Sequence, residues 1–200
     1  MAGSLDFYFD FSSAYSALAW REVPVIAERH GLVLHWRPIS LGVIFRNLGH
    51  APPPADTRKG QYLRTDVERC AREQGLEWRW PKPFPFNSIP AARGFYWATV
   101  EERCTAPAYV EAIFNASFRD GRDMSDRAEL AGVASELGLD AEAFAVGIAD
   151  ADVKQRLAAH TDQAEQAGVF GAPTVVVDGE LFWGADRLAQ LDRWLERGGW

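Results

Sequence analysis

A proline at the entrance of an apolar run constrains this chain more than any other feature. The segment reads Gly168-Val-Phe-Gly-Ala-Pro173-Thr-Val-Val-Val-Asp-Gly-Glu-Leu-Phe-Trp-Gly-Ala-Asp-Arg187. Proline cannot donate to a strand ladder, so Pro173 belongs at the first position of a strand, where a cis bond is allowed. Asp178-Gly179 predicts a tight hairpin. Trp183-Gly184 then closes the second strand. Asp186 falls in the first turn of a helix whose Leu188, Leu191 and Leu195 repeat at helical spacing. The chain therefore ends in a ββα unit of an α/β domain.

The other end supplies a complementary half. Leu5 to Phe11 alternates as a strand and runs into the polar turn Ser12-Ser-Ala-Tyr-Ser16. A helical pattern follows from Ala17 to His30, kinked or restarted at Pro24 and stopped at Gly31. Leu32 to Arg37 is a second short strand, closed by Pro38. A strand–helix–strand unit of this length favours a parallel pair. From about residue 40 to about 155 no strand is expected. Amphipathic segments at 57–74, 88–102, 107–119, 126–137 and 140–147 predict a helical insertion, jointed by the Pro-rich loops at 51–54 and 81–85. A helix near 153–167 leads back to the ββα unit. Residues 1–39 and 156–200 are thus expected to form one domain, and 40–155 an insertion.

Composition narrows the function. A net charge of −7 and the lack of any basic run argue against nucleic acid as a partner, so a small molecule is expected. No apolar run approaches the roughly 18 residues of a membrane span, and the N-terminus lacks a basic region followed by an apolar core. The expectation is a soluble cytoplasmic protein without membrane attachment. Cys70 and Cys104 lie far apart, which argues against a structural disulfide and against metal ligation.

Three motifs in series carry a resemblance. Asp6-Phe-Tyr-Phe-Asp-Phe-Ser-Ser-Ala-Tyr-Ser-Ala-Leu-Ala19, Arg58-Lys-Gly-Gln-Tyr62, and Val169-Phe-Gly-Ala-Pro-Thr174 with Trp183-Gly-Ala-Asp-Arg187 resemble 2-hydroxychromene-2-carboxylate isomerases over essentially the whole chain. Those enzymes are relatives of the kappa-class glutathione transferases and of the DsbA oxidoreductases. The resemblance implies a thioredoxin-like fold with a large all-helical insertion between the βαβ and ββα halves. It also implies glutathione as cofactor, an aromatic carboxylate as substrate, and leaves a homodimer open.

By the same resemblance, Ser13 stands where the oxidoreductases keep the first cysteine of their pair and is the expected catalytic residue. Ala14 departs from the proline usual there. Glutathione is expected to meet Lys59, the backbone of Ala172 beside Pro173, the backbone of Ala185, Asp186 at its γ-glutamyl end, and His50, which replaces the kappa asparagine. Phe11, Asn87 and Trp183 are expected to line a cleft for a flat aromatic substrate. His30, His35 and His160 share no spacing and are expected to serve packing or the surface.

A serine hydroxyl at a helix N-terminus with no base in the local sequence is a poor nucleophile and a good donor. Beside a bound thiol, it and the helix dipole favour thiolate. Read without the resemblance, Ser12, Ser13 and Ser16 are caps and turn residues, and Lys59, one of three lysines among eighteen arginines, is equally a surface residue. A kappa-type transferase or peroxidase is the alternative enzyme. A DsbA-like binding protein that has lost its cysteines is the non-catalytic one.

Overall fold

A computed structural model describes residues 3–200. Its organising element is the first strand, β1 (Ser4–Phe9), whose Leu5, Phe7 and Phe9 are fully buried. Every other strand attaches to it directly or through a neighbour. β2 (Val33–Pro38) pairs with it in parallel, with Phe7 opposite Trp36. β3 (Thr174–Val177) pairs antiparallel on its other side, with Phe7 opposite Val175, and β4 (Glu180–Trp183) pairs antiparallel with β3. The order is β2-β1-β3-β4. The β3–β4 turn has φ of 50° at Asp178 and 81° at Gly179, the left-handed pair that a two-residue hairpin requires.

The crossover from β1 to β2 is two helices, α1 (Ala14–Ala19) and α2 (Glu22–Arg29). The sequence pattern suggests one helix, but the chain breaks at Trp20 and Arg21. Pro24 restarts it, sitting in the first turn of α2, where its missing N–H would have no helical partner. β1 also stops two residues short of the sequence reading, since Asp10 turns the chain instead of extending it.

Between the sheet halves lie α3 (Leu41–Asn47), α4 (Arg58–Glu73), α5 (Ile89–Val100), α6 (Ala106–Phe114), α7 (Arg127–Glu136) and α8 (Ala141–Gly147); a π-helical turn, Asn115–Arg119, extends α6. α9 (Ala151–Gln166) returns to the sheet, and α10 (Leu188–Arg197) buries Leu188 and Leu191. Thr57, Thr105, Asp126, Asp140 and Asp150 each accept a first-turn N–H, which fixes where these helices begin. The sheet and the intervening helices share one apolar cluster. The Phe9 ring meets Phe11, Trp36, Phe95 and Phe114 at centroid separations of 5.3, 6.1, 6.3 and 6.0 Å. Each ring so buried contributes about 1.5–3 kcal/mol. No helix among the described residues is long and apolar enough to cross a membrane.

Candidate active site

The end of β1 and the start of α1 place a serine at the meeting point of the two sheet halves. Asp10 closes the turn, accepting Ser13 N–H on its carbonyl at 2.9 Å and Ser12 N–H on Oδ1 at 2.7 Å. Ser13 is extended (φ −83°, ψ 113°) and caps α1, its hydroxyl accepting from Ser16 N–H at 3.2 Å. The same hydroxyl donates to the Ala172 carbonyl at 2.9 Å, across 159 residues of chain. Both of its hydrogen-bonding functions are therefore in use, on groups that the hairpin half and the helix half contribute separately. Ser12 Oγ accepts from Phe86 N–H at 3.0 Å, bringing the 86–88 segment to the same turn.

The Ala172–Pro173 bond is cis, and Gly184 N–H donates to the Pro173 carbonyl at 2.9 Å, which holds the end of β4 beside the entrance of β3. Gly184 has φ of 113°, and a Cβ there would lie 2.4 Å from Asp186 Oδ1, so the turn needs a glycine. The chain then makes a short 3₁₀ turn, Ala185–Arg187, packed against α1. Asp186 lies in this turn, not in α10 as the sequence suggests. Its side chain is 74% exposed and touches only the Arg187 guanidinium, at 3.5 Å. Ala185 is half-buried against the core.

Lys59 sits in the first turn of α4, exposed. That turn is pinned by Thr57, whose hydroxyl accepts Gly60 N–H and donates to the Pro54 carbonyl at 2.7 Å; a Cβ at Gly60 would lie 2.1 Å from that carbonyl. α4 packs on α1 through Tyr15, whose hydroxyl donates to Asp66 at 2.8 Å. Lys59 precedes Asp66 by two helical turns and makes no polar contact with Ser13.

The expected substrate residues divide. Trp183 is 51% exposed and lies against Phe170, with ring centroids 4.9 Å apart. A Cβ on Gly171 would be 2.3 Å from its Nε1, so the indole lies on bare backbone next to Ala172. Asn87 is exposed next to Phe86, its Oδ1 accepting Ile89 N–H at 3.2 Å. Phe11 is a correction. It is wholly buried, packed on Tyr109 and Phe114, because it stays on the inward face that Leu5, Phe7 and Phe9 set along β1; it lines no cleft. His50 is exposed at the end of α3, edge-on to Phe45, and no contact brings it to Ser13, Ala172 or Asp186.

Two participants went unread in the sequence. Asp10 interrupts an aromatic run three residues before Ser13, a pattern that signals an Asx turn. Phe170 is 41% exposed directly before Gly171. Around the site, burial above all, then Asp66, pushes the Cys70 thiol up, with Asp186 acting in the same direction. Burial does the same for Cys104. Neither thiol is poised as a thiolate.

The sequence model of the DSBA-like thioredoxin domain matches residues 4–196. A 2-hydroxychromene-2-carboxylate isomerase of Sphingobium xenophagum is 33% identical over 197 residues, covering 98% of this chain and 99% of that protein. Human glutathione S-transferase kappa 1 is 24% identical, covering 94% and 88%. A solved 2-hydroxychromene-2-carboxylate isomerase superposes with a TM-score of 0.86 at 32% identity, covering 96% of this chain and 94% of that one.

Proposed function

The chain belongs to the 2-hydroxychromene-2-carboxylate isomerase family of DSBA-like thioredoxin domains, and we propose that it converts a 2-hydroxychromene-2-carboxylate-type substrate to the trans-benzylidenepyruvate, with glutathione as cofactor. The observation that carries the reading is the Ser13 hydroxyl, capping α1 and bonded to the Ala172 carbonyl where the oxidoreductases of this fold keep a thiol.

The residues present suit a glutathione-like tripeptide. Asp186 offers a carboxylate held only by a long contact to Arg187, suited to an ammonium, and Lys59 offers a cation suited to a carboxylate. The half-buried Ala172 peptide lies at a strand entrance, where an extended peptide adds as an extra strand. His50 meets Phe45 and adds no bond to these groups.

When bound, glutathione supplies a thiol that adds reversibly to the conjugated carbon of the substrate and is returned unconsumed. The chain's own task is to hold that sulfur ionised and the ring in place. Ser13 holds one proton, now on the Ala172 carbonyl, and that hydroxyl would be free to turn it toward a bound sulfur. The N-terminal end of α1 favours the same negative charge. Trp183 and Phe170 present exposed aromatic faces next to this point, suited to a flat ring.

The kappa relatives support a second reading, glutathione transfer or peroxide reduction at the same site. Titration calorimetry with glutathione, then absorbance of a chromene carboxylate with glutathione far below substrate, separates the readings. Many turnovers per glutathione support isomerisation, and stoichiometric consumption of the thiol supports transfer. No glutathione affinity and no turnover would leave a binding protein that has lost its cysteine pair.

A further inference from the structure

We propose that Asp10 is a positioning residue for this reaction: its carboxylate fixes the Ser12–Ser13 turn against both ends of the 40–88 stretch and thereby sets where the Ser13 hydroxyl stands. The inference rests on the functional reading above for its catalytic part and on geometry alone for the rest.

Asp10 is 3% exposed. Its two oxygens do different work. Oδ1 accepts Ser12 N–H at 2.7 Å, within its own turn, and Oδ2 accepts Leu41 N–H at 2.9 Å, at the start of α3. Ser88, itself buried at the start of α5, turns its hydroxyl toward the same carboxylate and helps to hold the charged form. Ser12 then accepts Phe86 N–H. Three segments, at residues 10–13, 41 and 86, are joined through one side chain and its neighbour. Asn87, exposed between Phe86 and Ser88, follows the residue that Ser12 holds and has no bond of its own to the turn.

The carboxylate is required as a two-acceptor group. An asparagine has one acceptor oxygen, so its amide nitrogen would face either Ser12 N–H or Leu41 N–H, donor against donor. Burial, the largest influence on Asp10, pushes its carboxyl above the usual range, while the N–H and hydroxyl donors pull it back. Keeping an ionisable group in so dry a place is costly to stability, and its return is the fixed turn.

The test is Asp10→Asn in the full chain, read four ways: amide hydrogen exchange without ligand, glutathione affinity by calorimetry, the pKa of bound thiol by ultraviolet absorbance, and kcat against KM with a chromene carboxylate. The expected result is at least tenfold faster exchange at Ser12 and Leu41 with the β1 and β3 amides unchanged. Glutathione affinity should stay within about threefold, the bound thiol pKa should rise, and kcat should fall by tenfold or more. A variant that melts lower yet keeps wild-type exchange at Ser12 and Leu41, thiol pKa and kcat would make Asp10 a stabilising residue only and overturn the proposal. If Asp10→Asn does not fold, Ser88→Ala decides, since it removes the hydroxyl that favours the charged carboxylate and leaves both N–H bonds. A several-fold loss of kcat with a raised thiol pKa supports positioning, and wild-type values for both overturn it. Failure of the wild type to bind glutathione or turn over substrate sinks the functional reading separately, and the exchange arm still decides whether Asp10 holds the turn.

Discussion

The hydroxyl of Ser13 donates to the carbonyl of Ala172 at 2.9 Å, so the serine proton already points at the atom an incoming peptide would seek. A hydroxyl has one proton and the carbonyl is a shared acceptor. In the reaction proposed above that one proton must leave the carbonyl to reach a bound thiol, so removing the serine oxygen tests thiol activation apart from docking.

Ser13→Ala should leave glutathione affinity near wild type, because Asp186, Lys59 and the Ala172 backbone remain. The bound thiol pKa should rise and turnover near neutral pH should fall. A hydrogen bond to a charged group is worth about 1.5–3 kcal/mol, which corresponds to roughly tenfold to a few hundredfold in rate. Higher pH should recover part of the loss. Thiolate absorbance against pH, measured alongside initial rates, checks this; an unchanged pKa with unchanged rate reduces Ser13 to a helix cap.

Replacing both Cys70 and Cys104 with Ala should leave glutathione-dependent turnover within severalfold of wild type. Burial raises both thiols above their ordinary range, so in the wild type their reaction with a thiol-specific disulfide reagent should be slow at neutral pH and accelerate as pH rises through that raised range. A hundredfold loss of turnover in a folded double mutant would return a cysteine to the mechanism.

Ser16 is fully buried in α1, and its Oγ has no hydrogen-bond partner among the described residues. Ser16→Ala removes an unsatisfied hydroxyl and raises helix propensity while keeping the N–H that Ser13 receives. Denaturant unfolding should show stability unchanged or raised by up to about 1–2 kcal/mol. Destabilisation beyond about 1 kcal/mol would reveal a partner for that oxygen, such as a buried water.

Gly171→Ala places a methyl within 2.3 Å of the Trp183 indole nitrogen, and the exposed indole is the group free to move. Giving up the Phe170–Trp183 pair should cost about 0.5–1.5 kcal/mol of stability. The Michaelis constant for an aromatic substrate should rise while glutathione affinity holds. A loss above about 3 kcal/mol in denaturant titration, or a parallel loss of glutathione affinity, would show that the Ala172 backbone gave way instead.

Local chemistry made much of this architecture legible. Pro173 and Asp178-Gly179 announce the hairpin half, and amphipathic spacing announces most of the insertion helices, because each acts over a few residues. The site was legible where it depends on the same short-range signals: Ser13 as a cap and Ala172 as the residue before a strand-entry proline. What escaped was long-range. Asp10 finds its second partner at Leu41, thirty-one residues on, and no pattern within β1 encodes that. Phe11 is a different case: it shares the parity of the buried Leu5, Phe7 and Phe9, so the alternation itself points its ring inward. Pro24 marked a discontinuity correctly, while the break itself fell at Trp20, where no residue type signals it.

The Tyr15–Asp66 bond bears on how such proteins can be recombined. Burial and Asp66 both raise the Tyr15 phenol, so it stays a donor throughout the physiological range. A chimera that exchanged residues 40–155 for the helices of another protein would strand that phenol, and would also take away the Leu41 amide and the Phe86 amide that anchor the turn before α1. Two sound parents could then yield a well-folded hybrid with a loosened serine. The smallest segment that can be grafted with its chemistry intact therefore follows these bonds from Asp10 to Phe86, and cuts across the boundary that strand and helix content alone would suggest.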